Sequence, residues 1–263
     1  MALRGLSVLL HGEAGAGKST VGTTGPLPRL IMDVENSSRF LFTQRLKYWD
    51  PMTEPPPVWD GTWDLCVVIT THWTIAQKTL DFLRSGQHPF RSVVVDSISE
   101  MQVKAQEAIN NRDQMKTQHW GQLLQYMGGF LRDLRDMVGT PQSIIELMVL
   151  ISTSKMYGEC LKPYLQGQIA SQVPYLFDIT AYLYVDQLQN PQTGEIEEHR
   201  YLFTGKNPRF EAKSRVPMLP KNLIDPDFTV IMNNVFPQAP APQQVQNPQM
   251  QQLPPAQYEA PSN

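Results

Sequence analysis

The chain has 263 residues, 41% of them hydrophobic, which suits one medium domain or one domain with appendages. A net charge of −3 excludes a uniformly basic nucleic-acid binder and leaves only local cationic patches. No apolar run reaches the roughly 18 residues of a membrane span. Two distant cysteines, Cys66 and Cys160, offer neither metal spacing nor a disulfide framework, so a reducing cytoplasm is expected.

Residues 6–11, LSVLLH, read as a first strand that runs into a glycine loop, not as a signal peptide. In HGEAGAGKSTV, Gly12, Gly17, Lys18 and Ser19 complete G-x-x-x-x-G-K-[ST] between a strand and a helix. The expected nucleotide cradle is Gly12, Glu13, Ala14, Gly15, Ala16, Gly17, Lys18, Ser19 and Thr20. Its glycines permit close backbone approach, and its N–H groups, aided by a helix dipole, face phosphate oxygens. Lys18 supplies a charge to the β- and γ-phosphates, and Ser19 offers a hydroxyl to Mg²⁺. ATP with Mg²⁺ is the expected cofactor pair. The following helix is short, because Gly25-Pro26 breaks it.

The second strand, 29–34, delivers Glu35 just past its end, where a carboxylate can orient an attacking water. Phe40 or Phe42 then either stacks on adenine or packs as a helix face. A third strand (65–70) and a helix (72–85) follow. The strand 92–96 ends in Asp96, which either holds Mg²⁺ through water or caps the next helix, a cap that Ser97 can supply instead. Helices are expected at 98–110 and 119–138, the latter with an apolar period near 3.6, and a strand at 147–152. Nearly continuous apolar strands alternating with helices argue for a parallel α/β sheet covered on both sides. Segments 175–187 and 199–204, separated by the turn residues Asn190-Pro191 and Thr193-Gly194, read as an added antiparallel hairpin.

Two further stretches, 110–120 and 153–168, read as loops that mix cations with aromatics. Arg112, Lys116, Lys155, Tyr157 and Lys162 are the candidates for tracking phosphates and stacking bases of single-stranded DNA. Trp120 either joins the stacking aromatics or, as the start of an amphipathic helix, packs in the core, which is the favoured reading. From Pro237 onward the chain holds seven Pro, eight Gln and no Lys or Arg, so 237–263 is expected to be a disordered tail beyond a 1–236 domain, with a possible docking role for a protein partner.

The loop GKST, then IMDVEN, VVVDS and LISTSKM, resembles the core of RecA-type recombinases. QIASQVPYLFDITAYLYV and FTGKNPRFEAKSRVPMLP are similar to stretches of phage-encoded RecA-like AAA-family ATPases, the single-strand annealing and recombination type, and the likeness runs from about residue 5 to residue 230. This resemblance implies a RecA-like P-loop NTPase fold: α/β, a mostly parallel sheet flanked by helices, with a C-terminal antiparallel hairpin. It implies a DNA-stimulated ATPase with Glu35 as catalytic base. It implies that Lys213 and Arg215, in EAKSR, reach a neighbouring subunit's γ-phosphate, and so a homo-oligomeric ring or filament. It also implies that the stretch 153–168 is the DNA-binding loop, with Lys155 and Tyr157 foremost in it. The chain departs from the pattern at Thr153 and Ser154, where the family carries a glutamine γ-phosphate sensor, and no N-terminal polymerisation segment is evident. Two other readings use the same phosphate loop: a nucleotide or small-molecule kinase, and a helicase-loader-like ATPase that binds a protein partner.

Overall fold

A computed structural model of the chain describes residues 4–42, 44–189 and 194–237. The tail expected from 237 onward lies, except for Pro237, outside the described residues, as do turn residues 190–193.

In chain order the elements are β1 (Leu6–Gly12), α1 (Lys18–Gly22), β2 (Arg29–Asp33), β3 (Leu46–Tyr48), β4 (Leu65–Ile69), α2 (Trp73–Ser85), β5 (Ser92–Asp96), α3 (Ile98–Asn110), α4 (Thr117–Asp136), β6 (Leu147–Tyr157), β7 (Cys160–Pro163), α5 (Ile169–Leu176), β8 (Ile179–Gln189), β9 (Ile196–Phe203), β10 (Lys213–Ser214), β11 (Asn222–Ile224) and α6 (Phe228–Val235). The sheet runs β11-β9-β8-β1-β6-β5-β2-β4-β3, with β10 on β8 and β7 on β6. Every pairing from β8 through β3 along that path is parallel, and β9, β10 and β11 add antiparallel pairings.

Alternate residues of the central strands feed two cores, which is why those strands read as unbroken apolar runs. Leu9, Leu30, Met32, Val93, Val95, Met148 and Leu150 pack with residues of α2–α5 on one face. Val8, Leu10, Ile31, Val94, Val149, Ile151 and Leu183 pack with residues of α1 and α6 on the other. Parallel strands place their carboxyl ends along one edge, so the ends of β1, β2, β5 and β6 meet there.

Two expectations need correction. Residues 175–187 are not one strand: 169–176 form α5, and the strand begins at Ile179. Ile169 and Val173, four apart, are both buried, a helical spacing, and extended Phe177 ends the helix. The strand expected at 147–152 continues to Tyr157, because β7 pairs with its outer half across a turn at Gly158 (φ 62°). The stretch read as a loop from 153 is thus a hairpin at its start.

Candidate functional site

The phosphate loop leaves β1 at Gly12 and enters α1 at Lys18. Gly15 and Gly17 both have left-handed backbones (φ 81° and 84°), a region where a side chain is strained. A Cβ built on Gly15 meets nothing within 4 Å, so the cradle is open there. Lys18 Nζ folds back to donate to the carbonyls of Gly12 (3.0 Å) and Glu13 (2.7 Å). Burial lowers the Lys18 pKa, while Asp96, Glu35 and Glu13 pull the other way. Because α1 has only five residues, its dipole adds little, and the loop's own N–H groups carry the anion affinity.

The acids gather beside this loop. Asp33 and Asp96 are register partners at the ends of β2 and β5. Asp96 Oδ2 accepts from the Ser19 hydroxyl at 2.5 Å. Burial pushes the Asp96 carboxyl up to about 6; the Ser19 hydrogen bond opposes this, and nearby Glu35 and Asp33 reinforce it. Ser97, joined to Asp96 by a cis peptide, caps α3 by accepting from Glu100 N (3.2 Å), and its hydroxyl donates to Glu35. Glu35 itself is exposed, at the mouth of the site. Asp33, not singled out from sequence, is fully buried and accepts from the N–H groups of Ser37 (3.0 Å) and Ser38 (2.9 Å). It fixes the turn that presents Glu35. The visible signal was an acid closing an apolar strand.

The Ser19–Asp96 pair is a hard-oxygen donor set that suits Mg²⁺. Among the described residues no group of three or more His, Cys, Asp or Glu forms a metal cage.

The sheet's carboxyl edge also carries Thr153, the register partner of Gly12; it is exposed, and its hydroxyl donates to Ser99 Oγ at 3.2 Å. The next residue, Ser154, meets His11 Nδ1 at 2.9 Å, and His11 Nε2 lies 2.6 Å from the Glu211 carbonyl. A carbonyl only accepts, so Nε2 carries the proton and Nδ1 accepts from Ser154. Burial depresses the His11 pKa to about 4.

Three of the five DNA-binding candidates come together. Lys155 pairs across β6–β7 with Lys162, and Tyr157, two residues along, shares their face. Tyr157 is 42% exposed, and Lys155 Nζ sits 4.8 Å over the Tyr164 ring. Arg112 and Lys116 belong to the separate α3–α4 connection, where Arg112 ion-pairs with Glu107 at 3.0 Å. Trp120 is not a core residue: it is 37% exposed and lies over Gly167. Phe40 and Phe42 do not pack as a helix face either. They are 62% and 83% exposed and meet edge to face at 6.2 Å.

Lys213 and Arg215 stand elsewhere. Lys213 pairs with Thr180 near the start of β8 and donates to the Phe177 carbonyl (2.9 Å). Arg215 donates to the Tyr175 carbonyl (2.8 Å). Both cations thus serve carbonyls at the C-terminal end of α5. Sequence reasoning also missed Arg200 of β9, whose side chain lies against Gly17. Only a long-range strand pairing brings it there.

A family model described as an AAA domain matches residues 4–216. No curated protein matches the chain.

Proposed function

The chain belongs to the AAA domain family, an ATPase family, and from that premise we propose that it couples ATP hydrolysis to work on single-stranded DNA, in annealing or recombination. The observation that carries the DNA half is the path of β6. One strand passes Thr153 beside Gly12 and, two residues later, presents Lys155 on a hairpin with Lys162 and Tyr157. A change at the phosphates has a short, stiff route to a cationic, aromatic face. Such a face suits a nucleic-acid strand, because cations follow phosphates and rings stack on any base.

In this reading the loop N–H groups and Lys18 hold the phosphates, and Lys18 exchanges its two loop carbonyls for them. Ser19 and Asp96 would hold Mg²⁺, which would offset the charge of the phosphate oxygens. Glu35 orients the attacking water, and the Ser97 hydroxyl fixes one of its oxygens while the other stays available. Asp33 keeps that turn rigid from beneath.

The test is ATP hydrolysis with and without single-stranded DNA. Lys18→Ala supplies the blank, and Glu35→Gln is expected to bind ATP and fail to turn it over. DNA should raise the wild-type rate severalfold. Turnover indifferent to DNA would reject the DNA reading and leave the ATPase assignment in place. Equal turnover in Glu35→Gln would remove Glu35 from the chemistry.

A further inference from the structure

The phosphate loop has a neighbour that its motif does not include. β9 pairs antiparallel with β8, Arg200 opposite Val185, and the Arg200 side chain crosses Gly17. A methyl on Gly17 would stand 3.1 Å from Arg200 Cδ and 3.3 Å from Cζ, and closer still to Nε. Gly17 is required for its positive φ, and a side chain there would also push Arg200 aside.

The backbone of Arg200 is pinned. Its N–H donates to Asp225 Oδ1 (3.0 Å), and its carbonyl accepts from Asp225 N (2.7 Å). The other Asp225 oxygen meets His199 Nδ1 at 2.6 Å. Asp225 is thus engaged by the backbone and by His199. Among the described residues no hydrogen bond or close ion pair takes the Arg200 guanidinium, which is exposed; its charge helps hold the Asp225 carboxyl down only at longer range. Five N–H donors in a planar fork stand at the rim of a loop built for phosphate.

We propose that Arg200 binds the phosphate chain of the nucleotide within its own subunit, closing the loop on the flank opposite the acids. This rests on reading the loop as an ATP site. The strand order β9-β8-β1-β6-β5-β2 puts Arg200 on one side of the loop and Asp96 and Glu35 on the other. A guanidinium on that flank is remote from the attacking water. It contacts phosphate in the ground state and the transition state alike, so it tightens binding without accelerating the chemical step. Arg200 is a binding residue, and its signature is a rise in Kd and KM with kcat nearly held.

The experiment uses the full chain and titrates Mg-ATP into wild type, Arg200→Met and Arg200→Lys, with steady-state hydrolysis and nucleotide-free melting beside it. Methionine keeps much of the length against Gly17 and removes the charge. Arg200→Met should weaken ATP about tenfold to a hundredfold, the range of a charged hydrogen bond, and raise KM in step. Arg200→Lys should recover part of the loss, and kcat should stay within about twofold. Unchanged ATP affinity in Arg200→Met overturns the proposal. So does a loss that lysine does not relieve and that comes with a lower nucleotide-free melting point, because the side chain then only packs. If wild type binds ATP no better than Lys18→Ala, the ATP reading of the loop itself fails.

Discussion

At the scale of single residues, His11 bears most directly on how the site is held. It is the last residue before Gly12, and its two ring nitrogens reach Ser154 on β6 and the Glu211 carbonyl just before β10. The neutral ring satisfies both partners, and burial disfavours the charged form. The folded pKa is about 4 against 6.5 for the free side chain, so the unfolded chain takes up this proton first as the pH falls. Stability is unaffected at pH 7 and is lost as the pH drops through 6.5 toward 4, by about 2 kcal/mol at pH 5. Urea unfolding at pH 7 and pH 5 checks this against His11→Gln, which keeps hydrogen-bonding capacity and cannot titrate. The wild type should lose more stability on acidification than the variant does. An identical loss in the two would show that His11 does not titrate as its burial requires.

At the scale of elements, local pattern and long-range pairing divide what the sequence reveals. The runs at 6–11, 29–34, 65–70, 92–96 and 147–152 became the parallel core strands because burial on both faces leaves an unbroken apolar signal. The helix at 98–110 is legible within its bounds, set off by the strand before it and by a capping residue ahead of Ile98. Leu46–Tyr48, Lys213–Ser214 and Asn222–Ile224 carry no such signal, since strands of two or three residues are defined by their partners alone. The site divides in the same way. Gly12–Thr20, Glu35 and Asp96 follow from spacing within short segments, whereas Arg200 over Gly17 and His11 against Glu211 depend on contacts far along the chain. The β6–β7 hairpin read as a loop because Tyr157, Gly158, Glu159 break the apolar pattern, and only pairing shows that Lys155 faces Lys162. Like charges directly opposite on a hairpin repel, so an anion between them relieves a standing cost. A Lys155→Ala/Lys162→Ala variant loses this repulsion together with the Lys155 contact over the Tyr164 ring, so it should fold about as well as wild type. Two fewer phosphate contacts should make the plot of log affinity for single-stranded DNA against log salt shallower by about 1.4. Fluorescence anisotropy across a salt series measures that slope, and an unchanged slope would remove both lysines from the DNA contact.

At the scale of the whole molecule, the position of Lys213 and Arg215 decides whether they can serve the shared site expected of them from the sequence. Arg215 N donates to the Asp178 carbonyl, and the Asp178 carboxylate in turn accepts from Ser7, at the start of β1. The phosphate loop leaves the other end of that strand at Gly12. Five residues at about 3.3 Å each separate the two ends by roughly 16 Å, so Arg215 does not meet its own chain's phosphates. A role in catalysis then requires a second copy packed head to tail, which makes rings or filaments. It also requires Arg215 to release the Tyr175 carbonyl that it holds in the single chain. Mixing variants tests this proposal of a shared site. Lys18→Ala disables the loop and keeps the cations, while Arg215→Gln keeps the loop and removes one cation. Each alone should hydrolyse ATP poorly. In a random mixture, about a quarter of the interfaces would pair an intact loop with an intact arginine, so activity should return. Nucleotide-free melting of Arg215→Gln, compared with wild type, reports what the lost α5 contact costs the fold. If Arg215→Gln alone is folded and turns over ATP like wild type, Arg215 acts only as an anchor for the end of α5. If both variants are folded and co-assemble yet the mixture stays as inactive as its parts, the site is not shared between subunits.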